Sequence, residues 1–187
     1  MTGVILAGGR SSRMGSDKAG HVVAGRPMIE WVGAALDAVS DRVVVAGRDD
    51  PVAGYAPIPD PGPSHRGPLA GVVAALEAFG DAVVGVATDQ PWVRAETLRG
   101  LIERMGDLPV VPVDGGIRQT TCAVYPPTVA AAARTELEEG GSLQSLLDVV
   151  AFQQVVDWRA WGEDGRSWYS VDTPEDAAEG LARFGAP

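Results

Sequence analysis

The sequence of 187 residues holds no asparagine, one lysine, one cysteine and two histidines. A single cysteine, Cys122, excludes an internal disulfide and any metal site built from several thiolates. His21 and His65 have no cysteine nearby and read as loop residues rather than metal ligands. No apolar run reaches the ~20 residues that cross a bilayer, and the first residues lack the basic flank and cleavage pattern of a signal peptide. A cytoplasmic location without a membrane partner is the expectation. Cationic charge is short as well: 15 lysines and arginines face 25 aspartates and glutamates, a net charge of −10. A broad footprint for nucleic acid or anionic lipid is not expected, so any anion site has to be local.

What is present is a composition, 45% hydrophobic and 21% charged, of one ordinary domain large enough to bury a continuous core. Residues 3–6 read as a buried strand followed by a glycine-rich loop. Pro27 sits where a helix would begin, and Met28, Ile29, Val32, Leu36 and Val39 recur at helical spacing. A second strand over 42–46 leads into a long, proline-rich connection over 47–67. Helix 68–79 then feeds strand 82–87, and helix 95–105 feeds strand 109–113. These repeated units, with strands too apolar for one wet face, predict a Rossmann-like three-layer α/β sandwich, its mostly parallel sheet covered by helices on both faces. Asp114-Gly115-Gly116 predicts a hairpin turn into an alternating strand at 119–125. Helices at 127–138 and 143–150, a strand at 153–156 and a last helix opened by Thr173-Pro174 complete the chain. No internal repeat or linker marks a second domain.

The stretch VILAGGRSSRMGSDK at 4–18 stands between the first strand and the first helix, where parallel α/β sheets bind nucleotides. It is neither of two familiar phosphate motifs. A dinucleotide fingerprint needs G-x-G-x-x-G, but Gly8 is followed by Gly9 and Arg10 and the next glycine is Gly15. A P-loop needs four residues between its glycines, whereas Gly9 and Gly15 enclose five. What remains is a loop whose N–H groups can cradle phosphates while Arg10, Arg13 and Lys18 supply charge. Lys18 is the only lysine beside fourteen arginines, which suits a compact point charge rather than a planar fork.

Two further constellations carry carboxylates. Asp89, in Thr88-Asp89-Gln90-Pro91-Trp92, directly follows a strand and should share a rim with the opening loop, where a carboxylate beside phosphates suits Mg²⁺. Its alternative is a turn residue before Pro91. Asp172, in Val171-Asp172-Thr173-Pro174, admits two readings, a second metal contact or a helix cap shared with Thr173. Trp158, Trp161 and Trp168 lie close in sequence and read as packing residues, with stacking on a planar ligand as the alternative.

Taken together, these residues resemble the molybdenum cofactor guanylyltransferases, the MobA-type branch of the nucleotidyltransferase superfamily. Leu6-Ala7-Gly8-Gly9, Arg13-Met14-Gly15 and Asp17-Lys18 meet every fixed position of the family's first motif. Gly25-Arg26-Pro27-Met28, Gly67-Pro68-Leu69-Ala70-Gly71, Asp89-Gln90-Pro91 and Thr173-Pro174-Glu175-Asp176 match its later motifs in order. The resemblance implies a single nucleotidyltransferase domain of glycosyltransferase-A-like type over 1–187, with a nucleotide-binding half at 1–113 and acceptor-binding and closing elements at 114–187. It implies transfer of GMP from GTP to molybdenum-molybdopterin with release of pyrophosphate, Mg²⁺ as the metal with Mn²⁺ as a substitute, and molybdenum-insertion proteins and molybdoenzymes as partners.

By the same resemblance Leu6, Ala7, Gly8, Gly9, Pro68 and Leu69 would bind the nucleotide, and Arg13 and Lys18 would hold its phosphates. Asp89 and Asp172 would ligate metal, and Asp60 or Ser64 would fill the polar position upstream of Gly67. Three departures stand out. Ala46-Gly47 replaces a segment that often carries asparagine, Asp172 replaces another asparagine, and Gln119-Thr120-Thr121 lacks the usual proline. The competing readings are a cytidylyltransferase acting on the same cofactor, a transferase of GMP to a phosphorylated small acid, and a nucleotide-binding module without turnover. Gly8-Gly9 and the intact G-P-L-A-G string favour guanine over the cytidine branch.

Overall fold

The computed structural model describes residues 1–8, 20–59, 61–62 and 67–187. Gly9, Arg10, Arg13 and Lys18 in the opening loop, and Asp60, Ser64 and His65 in the later connection, lie outside the described residues.

The first strand, β1 (Thr2–Leu6), is buried along its whole length. Its side chains alternate between two layers, Val4 and Leu6 entering one core cluster and Ile5 the other, as the two-residue period of a strand requires. A short hairpin of β2 (Val22–Val23) and β3 (Arg26–Pro27) turns through Ala24 and Gly25, both at positive φ. Pro27 therefore ends a strand, and α1 (Met28–Asp37) starts one residue later. The remaining elements are β4 (Arg42–Ala46), β5 (Ala56–Ile58), α2 (Pro68–Phe79), β6 (Val83–Ala87), α3 (Ala95–Glu103), β7 (Val110–Asp114), β8 (Ile117–Arg118), β9 (Cys122–Tyr125), α4 (Ala130–Glu138), α5 (Leu143–Val149), β10 (Gln153–Val155) and α6 (Pro174–Phe184).

Among the described residues one eight-stranded sheet runs in the order β10-β7-β9-β6-β1-β4-β5, with β8 hairpinned onto β7. The β7–β8 turn at Gly115-Gly116 is the expected hairpin, but its second strand stops at Arg118 and β9 restarts at Cys122. The sheet is parallel except where β9 runs antiparallel between β6 and β7 and where β8 pairs antiparallel with β7. The connection over 47–67, for which no element is expected from the sequence, contains a strand: β5 pairs in parallel with β4 and closes one edge of the sheet. Three residues are too few to establish a period in sequence, and β5 forms because β4 offers it an edge.

Helices α2, α4 and α5 cover the face that carries Val4, Leu6, Val44 and Val111. Helices α1 and α3 cover the face that carries Ile5, Val45, Val84 and Val110, joined there by Trp158 and Trp168. Gly71 in α2 lets that helix lie close on the sheet, since a Cβ there would meet the Ala46 Cβ at 2.6 Å and the Leu6 side chain at 2.9 Å. A third, smaller cluster of Val23, Met28, Trp92, Val171 and Ala177 draws the β2–β3 hairpin, the loop after β6 and α6 together. No helix among the described residues is long and apolar enough to cross a membrane.

Candidate functional site

The parallel register aligns four strand ends in one row: Ile58, Ala46, Leu6 and Ala87 are successive neighbours across the sheet. Carboxyl ends of parallel strands form one rim, where α/β proteins place ligands. The loop that follows Leu6 is bonded to both neighbours. Ala7 N donates to the Ala46 carbonyl at 2.9 Å, and the Leu6 carbonyl accepts from Thr88 N and Thr88 Oγ1, both at 3.2 Å. The first matched motif is thus bonded directly to Thr88, the residue that precedes Asp89-Gln90-Pro91.

Gly47 explains the departure at the end of β4. Its φ of +82° is a left-handed conformation that side chains other than glycine, asparagine and aspartate rarely adopt. A Cβ there would also run into the Gly8 backbone. In this chain the two loops approach backbone to backbone, and glycine is the residue that permits it.

Asp89 is half-buried at the rim, in a turn fixed from several sides. Gln90 N donates to the Ala87 carbonyl at 3.1 Å, and the Asp89 carbonyl accepts from Val171 N at 2.8 Å. The Gln90 side chain, only 4% exposed, accepts from Ala87 N at 3.3 Å and donates to Thr121 Oγ1 at 3.2 Å. That bond ties the Asp89 turn to the Gln119-Thr120-Thr121 segment. Sequence reasoning missed Gln90 as a clamp, and its one signal was its place between two motif residues.

Asp172 follows Val171 and so sits one residue from the backbone bond to Asp89. The helix cap is not its side chain: Thr173 Oγ1 accepts from Asp176 N at 3.1 Å, while the Asp176 carboxylate accepts from Thr173 N at 2.8 Å and from Asp172 N at 2.9 Å. This reciprocal box satisfies the first N–H groups of α6. Pro68 occupies the first turn of α2 at the same rim. Leu69 points into the core and is fully buried, so its side chain serves packing and only its backbone could reach a ligand.

The tryptophans resolve as packing residues. Trp158 and Trp168 meet edge to face at 4.9 Å, and their indole N–H groups donate to the Val113 carbonyl at 2.9 Å and to Asp114 Oδ2 at 3.1 Å. Trp161 lies under the Arg104 guanidinium at 4.4 Å and against Gly100 of α3. Cys122 is fully buried, and burial raises its thiol pKa far above the ordinary range. His21 precedes β2, where its carbonyl accepts from Met28 N at 2.8 Å.

Residues 3–156 match the MobA-like NTP transferase domain. The chain is 36% identical to a protein of Natronomonas pharaonis named "Probable molybdenum cofactor guanylyltransferase", over 98% of each sequence. It is 30% identical to the "Molybdenum cofactor guanylyltransferase" of Cereibacter sphaeroides, over 94% of this chain and 93% of the relative. Among solved structures, molybdopterin-guanine dinucleotide biosynthesis protein A of Archaeoglobus fulgidus shares the fold at a TM-score of 0.84, with 23% identity over 98% of both chains. With residues 3–156 matching the domain and relatives matching nearly end to end, the chain belongs to the MobA-like NTP transferase family.

Proposed function

We propose that this protein transfers GMP from GTP to molybdenum-molybdopterin and releases pyrophosphate. The observation that carries the reading is the rim itself, where Leu6 and Ala7 hydrogen-bond to Thr88 and Ala46 and Gly8 lies backbone to backbone against Gly47. Full-length similarity to relatives named for this activity supports it. In the reaction an acceptor phosphate oxygen bonds to the α-phosphorus as the bond from that phosphorus to the β-phosphate bridging oxygen breaks. The protein's part is alignment and neutralisation of the departing pyrophosphate. Ala7, Gly8 and Gly9 would meet the nucleotide through their backbone, Arg13 and Lys18 would balance the triphosphate charge, and Asp60 or Ser64 would fill the polar position upstream of Gly67. The Leu6 carbonyl and Ala7 N–H hold the crevice together rather than facing a ligand.

A hard cation is the metal this reading calls for, with Asp89 and Asp172 as the residues that would hold it. Asp89 and Asp172 offer carboxylate oxygens on turns joined by the Val171–Asp89 bond, and no three candidate ligands gather among the described residues. Mg²⁺ suits such a site because it takes one or two carboxylates and completes its shell with water and substrate phosphates. When bound, it would withdraw charge from the phosphate oxygens.

The test supplies GTP, CTP or ATP with Mg²⁺ and molybdenum-bearing molybdopterin, then measures pyrophosphate release and the nucleotide joined to the product. GTP preference is expected. CTP preference would overturn the base assignment, and no release with any nucleotide would leave a binding module. Lys18→Ala should lower turnover at least ~100-fold, the scale of removing one preorganised charge-stabilising group, with the circular dichroism spectrum retained.

A further inference from the structure

The last stretch of the chain, beyond residues 3–156 that match the MobA-like NTP transferase domain, is fastened along the Asp89 loop in a consistent order. Val171 N donates to the Asp89 carbonyl at 2.8 Å. The Trp92 ring packs against Tyr169 and Phe184, at 5.7 and 6.0 Å between centroids, and its N–H donates to the Gly185 carbonyl at 2.8 Å. Arg94 N donates to Ser167 Oγ at 3.1 Å, and the Arg94 guanidinium to the Gly162 carbonyl at 2.8 Å. Thr97 Oγ1 donates to Glu163 at 2.5 Å. Positions 89, 94 and 97 therefore meet 171, 167 and 163, two segments running in opposite directions.

Glu163 is the far anchor of this strap. It is 3% exposed, and its carboxylate accepts from Thr97 Oγ1 and Ser167 Oγ, both at 2.5 Å. It also accepts from the backbone N–H groups of Asp164, Gly165 and Ser167 at 3.0, 2.8 and 3.3 Å. A buried carboxylate is costly unless its oxygens are satisfied, and apolar packing would close the same gap at less expense. Four of these donors belong to 164–167 and wrap the turn around the carboxylate, while Thr97 Oγ1, together with the Arg94 N bond to Ser167 Oγ, fixes that turn in one register on the start of α3.

We infer that Glu163 is a positioning residue for Asp89. By locking the strap onto α3 it sets the register in which Val171 meets the Asp89 carbonyl, and so holds the Asp89 turn beside Asp172. Its bearing on activity rests on the reading of Asp89 as a metal-binding carboxylate, whereas its bearing on the turn does not.

Hydrogen exchange on the full chain separates the two. Glu163→Gln should speed exchange of the Val171 amide at least ~10-fold while β1 and β6 amides keep their protection, as local opening requires. Thr97→Val removes one anchoring hydroxyl at similar volume and should act in the same direction, providing the measurement if Glu163→Gln does not fold. Unchanged Val171 exchange, or loss of sheet protection in step with it, would overturn the inference. A Mn²⁺ titration by electron paramagnetic resonance, with a non-hydrolysable GTP analogue present, should show weaker Mn²⁺ binding in the variants than in the parent. Equal binding in parent and variants would overturn the link to Asp89. A parent that binds no Mn²⁺ would overturn the metal reading instead, and the exchange result would still decide the positioning role.

Discussion

At the scale of single residues the site depends on where side chains are missing as much as on where they are charged. Gly47→Ala should cost ~1–3 kcal/mol, since it combines a left-handed φ with a Cβ that meets the Gly8 backbone. Urea denaturation measures it, and a variant as stable as the parent would mean the two loops separate readily. Cys122 belongs to packing: burial holds its thiol protonated, so an aromatic disulfide reagent at pH 8 should leave it unmodified in the native protein and label it once urea unfolds the chain. Fast native labelling would place the thiol nearer solvent than the structure has it. Asp89 was legible in sequence because a carboxylate directly after a strand has a predictable location. Gln90 and Glu163 were not, because their partners Thr121 and Thr97 lie far along the chain, and no local pattern announces such a bond.

At the scale of elements, legibility follows length. The five-residue strands β1, β4, β6 and β7 and the helices α1, α2 and α3 stand close to where apolar periodicity places them. The β2–β3 hairpin and β5 are two or three residues per strand, too short to show a period, and their existence depends on an edge or a partner. The last helix was legible through Thr173-Pro174, and the structure assigns the cap to Thr173 and Asp176 rather than to the Asp172 side chain. Thr173→Ala should therefore cost about 1 kcal/mol, the usual value of a lost N-cap hydroxyl. Thermal melting is the check, and no loss would show that Asp176 alone holds the helix start.

At the scale of the whole molecule, the two halves read from the sequence are interleaved. Strand β9, from the second half, is inserted between β6 and β7 of the first, and the Trp158–Trp168 pair packs in the same cluster as Ile5 and Val84. Unfolding followed by tryptophan fluorescence and by far-ultraviolet circular dichroism should therefore give coincident transitions. A fluorescence change at clearly lower denaturant would mean that the strap and its tryptophans come away as a separate unit.

The amino-acid order alone determined the alternation of strand and helix, the shared rim after β1 and β6, and the family, because these depend on local periodicity and on motifs contiguous in the chain. Only the tertiary structure decided that Gly47 meets Gly8, that Gln90 joins Asp89 to Thr121, and that Glu163 anchors a strap along the Asp89 loop. Those are contacts between segments tens of residues apart. Each is specified by the packing of the sheet and its covering helices, which no short window of sequence contains.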